Sequence, residues 1–241
     1  LFDNRSANYV GDAGIGINPK LAARIRDADL LLVVGARLGE MTTSGYTLVE
    51  PPVPRQRLVH VHAGAEELGR VYQAELLINA GMANFAHAVR DLAVDGSRWR
   101  ANREAARADY EAWQAPQAIP GPVQMQEIVT WLRHHVPENT IVCTGAGNFS
   151  GFVNRYYRFP RLRTQVAPTA GSMGYGVPAA IGAQVAHPER LVVCFCGDGD
   201  YMMNGQELAT AVQHELPIVY VVVNNGMYGT IRMHQEREYP G

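Results

Sequence analysis

The sequence has little cysteine, little charge and no long apolar run, and each shortage excludes something. Three cysteines in 241 residues offer no disulfide framework and point to a reducing compartment. Only 18% of the side chains are charged against 47% hydrophobic, which excludes a disordered polypeptide. The 21 basic and 23 acidic side chains leave a net charge of -2, so nothing electrostatic favours nucleic acid or an anionic membrane. No apolar run approaches the roughly 20 residues of a membrane-spanning helix. The longest candidates, at residues 30–34 and 218–223, have strand length. The 24 glycines and 14 prolines lack the period of collagen. Leu1 opens the chain without a signal-peptide core, and a cytoplasmic location is expected. With Pro240-Gly241 at the other end, the boundaries are not expected to be those of a complete protein.

What is present alternates between helix and strand patterns. Residues 20–27 read as a helix after Asn18-Pro19, and residues 28–34, ending at Gly35, as a parallel strand buried on both faces. Strands at 57–62 and 75–78 and a helix at 83–92 complete a small α/β unit, placed at residues 1–94. Residues 95–122 hold an Arg- and Ala-rich surface helix and then Pro116, Pro120, Gly121 and Pro122, and read as a linker. Residues 123–241 form a second unit. It has a helix at 123–135, a strand at 140–144 and a small-residue helix entered from the glycine turn at 171–176. A strand at 191–196, a helix at 205–214 and a strand at 218–223 follow. The fold class is α/β, with two open parallel-sheet domains.

The most informative segment is residues 191–227. It reads as a strand, a Gly197-Asp198-Gly199 turn, a helix and a strand ending in Asn224-Asn225. A right-handed crossover between parallel strands puts Asp198 and Asn225 at one carboxyl edge, where open α/β sheets bind ligands. A carboxylate and an amide oxygen are hard donors suited to Mg²⁺ or Ca²⁺. Gly199 lets the backbone approach an anion, and Asn204 is expected to cap the helix that follows. A diphosphate bridged through Mg²⁺ fits this pattern.

This pairing resembles the cofactor motif of thiamine diphosphate (ThDP) enzymes. Gly205-Gln206-Glu207-Leu208-Ala209-Thr210, the run from Gly171-Ser172-Met173-Gly174 to Ala183, and Leu30-Leu31-Leu32-Val33-Val34-Gly35-Ala36-Arg37 resemble the acetolactate synthase branch. The resemblance implies a Rossmann-like middle domain followed by a ThDP diphosphate-binding domain. It implies ThDP and Mg²⁺ as cofactors, 2-oxo acids as substrates, and decarboxylation or carboligation as the reaction. Asp198, Asn225 and the Met227 carbonyl are the implied metal ligands. Gly199 and Asp200 are implied to meet the diphosphate through backbone N–H groups, beside Gly197. Met173 is the implied wedge under a bent cofactor, the Gly171 carbonyl a partner of its aminopyrimidine, and Ser172, Tyr228 and Gly229 further lining. The resemblance also implies self-association, as a dimer or higher, because the activating Glu belongs to an N-terminal domain of the partner subunit. No such domain precedes Leu1, so the 241 residues alone are expected to be inactive.

Two departures bear on the reaction. FAD-binding acetolactate synthases continue from Gly-Ala-Arg into Phe-Asp-Asp-Arg, whereas Gly35-Ala36-Arg37 continues into Leu38-Gly39-Glu40, and His60-Val61-His62-Ala63 replaces an Asp-containing strand end. FAD is therefore not expected. His234 falls where those enzymes carry a pocket-shaping Trp, so the acceptor, lined by Thr230, Ile231 and His234, need not be pyruvate or 2-oxobutyrate. Two other functions stay open: an NAD(P)-dependent oxidoreductase using the Gly145-Ala146-Gly147 turn, and a catalytically silent regulatory or assembly homologue. Against the first, the turn lacks a third Gly and a downstream acid. Cys194 and Cys196 read as core packing, His60 and His62 lack a third ligand, and Arg155, Arg158, Arg161 and Arg163 read as a solvated face.

Overall fold

A computed structural model describes residues 2–241 and divides the chain into two compact α/β units. One unit is Val10–Trp113; the other joins the N-terminal residues up to Tyr9 to Gln114–Gly241.

The Val10–Trp113 unit contains helix α1 (Pro19–Arg26), strands β1 (Leu30–Val34), β2 (Arg57–His62) and β3 (Leu76–Asn79), and helices α2 (Met82–Val89) and α3 (Arg100–Trp113). Asn18 caps α1 by accepting the Lys20 N–H at 3.0 Å, and Pro19 sits where a missing N–H removes no helical bond. The strands pair in parallel in the order β1-β2-β3. Val49, Leu58 and Tyr72 form the core, with Leu31 and Val33 packed against it.

Two expectations are corrected here. The run at 30–34 is not buried on both faces: Leu30, Leu32 and Val34 are 44%, 56% and 43% exposed. Their spacing of two puts all three on one face of the strand, and that face is left uncovered while Leu31 and Val33 face the core. The surface helix expected within the 95–122 linker forms as such, but it belongs to this unit rather than to a linker. Its Asp109 pairs with Lys20 at 2.6 Å and Arg24 at 2.7 Å, fastening α3 to α1.

The second unit contains α4 (Met125–His135), β4 (Ile141–Thr144), α5 (Asn148–Tyr156), β5 (Gln165–Val166), α6 (Gly176–Ala186) and β6 (Val192–Gly197). It continues with α7 (Asp198–Asn204), α8 (Leu208–Gln213), β7 (Ile218–Val223) and α9 (Gly229–Glu238). Its parallel sheet has the order β5-β4-β6-β7, and the two-residue β5 had no sequence signal. Here β4 and β6 are buried throughout, because cores cover both of their faces, whereas β7 leaves Val219 and Val222 exposed. Val142, Val193 and Phe195 face α4 and α5 through Val129, Phe149 and Val153. Ile141, Val192, Cys143, Cys194 and Cys196 face α6 through Val177 and Ala180. The N-terminal residues join this unit: Asn4 exchanges two hydrogen bonds with the Phe159 backbone, at 2.8 and 3.2 Å, and Arg5 pairs with Glu138 at 2.6 Å. Among the described residues no helix is long and apolar enough to cross a membrane.

Lys20 and Arg24 hold the Asp109 carboxyl below its ordinary range. A depressed acid stabilises the fold above its unfolded value and loses that effect as pH falls through the folded one. Asp109→Asn should therefore lower the urea midpoint of this unit at neutral pH. The gap to wild type should close in acid, a trend read from urea melts across pH.

Candidate functional site

Register sets the site. Gly197 at the end of β6 pairs with Val223 at the end of β7, so Asp198 and Asn224-Asn225 leave adjacent strands at the same carboxyl edge. Asp198 does not sit in a loose turn. It opens α7 directly, half-buried, with Gly199 and Asp200 in the same first helical turn. The expected single helix at 205–214 is in fact a 3₁₀ turn at Gly205–Glu207 followed by α8, with α7 running directly into it. Asn204 consequently caps nothing. Its Nδ2 donates instead to the Gly174 carbonyl at 2.7 Å.

After β7 the chain is held by two Asn side chains. Asn224 Oδ1 accepts the Gly226 N–H at 2.9 Å and Asn225 Oδ1 accepts the Met227 N–H at 3.1 Å, with Gly226 at φ +65°. The Met227 carbonyl accepts the Gly229 N–H at 2.9 Å. Each of these oxygens keeps a second lone pair. The Tyr228 ring lies over Gly199 so closely that a Cβ there would be 2.6 Å from it. Gly229 is similarly confined, with Asn225 Nδ2 2.8 Å from where its Cβ would be. The α7 start and the post-β7 loop therefore approach closely, with the Tyr228 ring against Gly199. A carboxylate, an amide oxygen and a backbone carbonyl thus stand on chain segments that leave this edge, and all three are hard-oxygen donor types.

The glycine turn before α6 faces this edge. Gly171 (φ +68°) and Ser172 are exposed and Met173 is half-buried. Gly174 (φ +78°) donates its N–H to Asp200 Oδ1 at 2.5 Å. Asp200 is only 2% exposed. Burial pushes its carboxyl above the ordinary value, opposed by the N–H groups of Gly174, Ala146 and Gly197. A Cβ on Gly145 would overlap that carboxylate, and one on Gly176 would lie 2.8 Å from the Gly145 nitrogen. The Gly145 turn is thus filled by an acid, which is hostile to the phosphates of a dinucleotide.

Of the expected pocket residues, Thr230 Oγ1 accepts the Asn148 N–H at 3.2 Å and ties α9 to the start of α5. Ile231 is exposed, and His234, also exposed, meets Arg237 at 2.9 Å. Among the described residues no three His, Cys, Asp or Glu side chains converge as a metal centre. Cys143, Cys194 and Cys196 are buried, and burial pushes the Cys143 thiol up to about 12, so it packs as a neutral side chain. Arg158 donates to Gln114 at 2.5 Å and Arg161 lies 3.5 Å from Glu138. In the other unit, His60 Nε2 lies 2.9 Å from the Ala36 carbonyl, and Arg37 pairs with Glu67 at 3.1 Å. The side-chain role of Asp200 was missed in the sequence. An acid directly after Gly-Asp-Gly, in a region dense with glycine, was the available signal.

Comparison with known proteins defines the class. Residues 145–241 match the thiamine pyrophosphate enzyme C-terminal TPP binding domain, and residues 1–89 match the thiamine pyrophosphate enzyme central domain. The chain belongs to the thiamine pyrophosphate enzyme family. Within it the chain is acetolactate synthase-like. It is 32% identical to the acetolactate synthase large subunit of Parasynechococcus marenigrum over 99% of its own length and 39% of that protein. It is likewise 32% identical to the isozyme 1 large subunit of Escherichia coli, over 98% of this chain and 39% of that one. Identity to the Escherichia coli isozyme 2 large subunit is 27%, over 95% and 41%. The chain therefore spans about two fifths of the length of these curated relatives.

The glycine contacts are testable. Gly145→Ala should lower stability by about 1–3 kcal/mol through overpacking against Asp200. Gly182→Ala, inside α6 with open space around it, should raise stability by roughly 0.5–1 kcal/mol. Urea denaturation of both variants checks the pair.

Proposed function

We propose that this chain carries the diphosphate and metal half of a ThDP-dependent enzyme that decarboxylates and condenses 2-oxo acids, acetolactate synthase-like in its chemistry. The observation that carries the reading is the pairing of Gly197 with Val223, which delivers Asp198 and Asn225 to one sheet edge. In this reading Asp198, Asn225 and the Met227 carbonyl hold Mg²⁺. The backbone N–H groups of Gly199 and Asp200 face the diphosphate beside Gly197, where the unpaired N–H groups of the first helical turn favour an anion. Met173 supports the bend of the cofactor, with the Gly171 carbonyl and Ser172 beside it and Tyr228 and Gly229 closing the opposite side. When bound, ThDP supplies the carbon nucleophile that releases CO₂ from the first 2-oxo acid.

Thr230, Ile231 and His234 then line the acceptor side. A His in place of a large indole leaves room and a titratable group for an acceptor other than the simplest 2-oxo acids. FAD forms no part of this reading: Arg37 is engaged by Glu67, and no acid stands at the His62-Ala63 strand end. The activating Glu is proposed to come from a partner subunit, so the protein works as a dimer or larger assembly. The 241 residues alone then bind Mg²⁺ and cofactor without turning over 2-oxo acids. Appreciable decarboxylation by this polypeptide would contradict that last point.

Isothermal titration with ThDP checks the core of the proposal. Binding should require Mg²⁺, disappear with chelator, and weaken at least about tenfold in Asp198→Ala, equivalent to about 1.4 kcal/mol. Binding that ignores both the metal and the substitution would overturn the assignment.

A further inference from the structure

We infer that Asp200 and Asn204 act together as a clamp on the single residue Gly174, and that this clamp positions Met173 beneath the cofactor. The inference rests on the ThDP reading above and adds positioning roles to two side chains. Asp200 and Asn204 stand four residues apart in α7, so both project from one helical face. They grip opposite ends of one residue: Asp200 Oδ1 accepts the Gly174 N–H at 2.5 Å, and Asn204 Nδ2 donates to the Gly174 carbonyl at 2.7 Å.

The clamp is shaped for glycine. Gly174 has φ +78°, a conformation that side chains rarely adopt. A Cβ there would lie 2.7 Å from Asn204 Nδ2 and 3.0 Å from the Met203 Cβ. Turn and helix are thus in contact with nothing between them. The acceptor is a carboxyl oxygen held in direct contact with the Gly174 N–H. Asp200 is 2% exposed, and its Oδ2 lies buried with no partner that meets hydrogen-bond geometry. Burying a carboxyl there for turn stability alone is poor economy, because desolvating it opposes what its bonds contribute. What it does secure is position. The same helix presents Asp198 and Gly199 to the diphosphate in its first turn and fixes the residue after Met173 from its buried face. One rigid element then sets the distance between the phosphate end and the bend of the ligand. Met173 itself makes no hydrogen-bonded contact with α7, so its placement depends on the neighbouring peptide.

The two functions of α7 separate in a binding experiment on the full-length protein with Mg²⁺ present, titrating ThDP and inorganic diphosphate independently. Asn204→Ala removes one jaw and leaves the buried carboxyl untouched. Asp200→Ala removes the other, and Asp200→Asn restores an acceptor oxygen for Gly174. The clamp predicts about tenfold weaker ThDP binding in either Ala variant, less than additive loss in the double variant, and partial recovery in Asp200→Asn. Diphosphate affinity should stay within about twofold of wild type in Asn204→Ala, because Asp198, Gly199, Asp200 and Asn225 are unchanged there. A purely structural role would weaken both ligands together. That outcome, or unchanged ThDP binding in Asn204→Ala and Asp200→Ala, overturns the clamp while wild-type binding still upholds the cofactor reading. Wild-type protein that binds neither ligand sinks the cofactor reading and the clamp with it.

Discussion

The hydrogen-bond ladder between β6 and β7 is the constraint from which the candidate site follows. Six consecutive residue pairs, from Val192 with Ile218 to Gly197 with Val223, hold the two strands in parallel register. A shift of one residue would turn Cys194 and Cys196 away from α6 and move Val193 and Phe195 out of the opposite core. Burial on both faces of β6 therefore pins the register, and the register pins where the chain leaves the sheet. Asp198 and Asn225 share an edge because β6 and β7 run parallel and end together, a pairing that the two cores protect against a one-residue slip.

Close backbone approach is the second constraint, and it explains the density of glycine. Gly176 brings α6 against the end of β4, Gly145 admits the Asp200 carboxyl, Gly199 lies under Tyr228, and Gly174 fits between Asp200 and Asn204. A Cβ at these points would meet backbone at Gly176, a carboxylate at Gly145, an aromatic ring at Gly199, and the Asn204 amide and Met203 side chain at Gly174. The same tightness makes polar satisfaction demanding. The Asp200 carboxyl is drawn on by several N–H groups yet still raised by burial. The site is held by a few short polar contacts within a well-packed sheet rather than by ion pairs.

Much of this was legible in the sequence. Period and composition identified the α/β class, the main strands, and the strand ends that bear Asp198 and Asn225, but not α5, β5, α7 or α9. The resemblance to ThDP enzymes rested on those same residues, and the family matches agree with it. Other features were hidden for definable reasons. An apolar run such as Leu30–Val34 looks the same whether one face of its sheet or both are covered, because that depends on what packs against each face. The helix at Arg100–Trp113 looked like a linker because the partners of Asp109 lie some 85 to 89 residues earlier in the chain. Asn204 before Gly205 carries a strong local capping signal, and a longer-range bond to Gly174 overrode it.

The sequence by itself determined the chemistry available: which oxygens could hold a cation, which glycines could approach a ligand, and which strands could be buried. These are local properties, written in residue type and spacing. Only the tertiary structure decided how those parts are used. It placed Asp200, expected to offer only its backbone N–H, with its carboxyl buried against a turn 26 residues away. It tied Thr230 to the start of α5 across 82 residues and left Ile231 and His234 on an exposed helix. The physical reason is that hydrogen-bond partners distant in sequence are chosen by packing, once register and helix contacts have brought their backbones together.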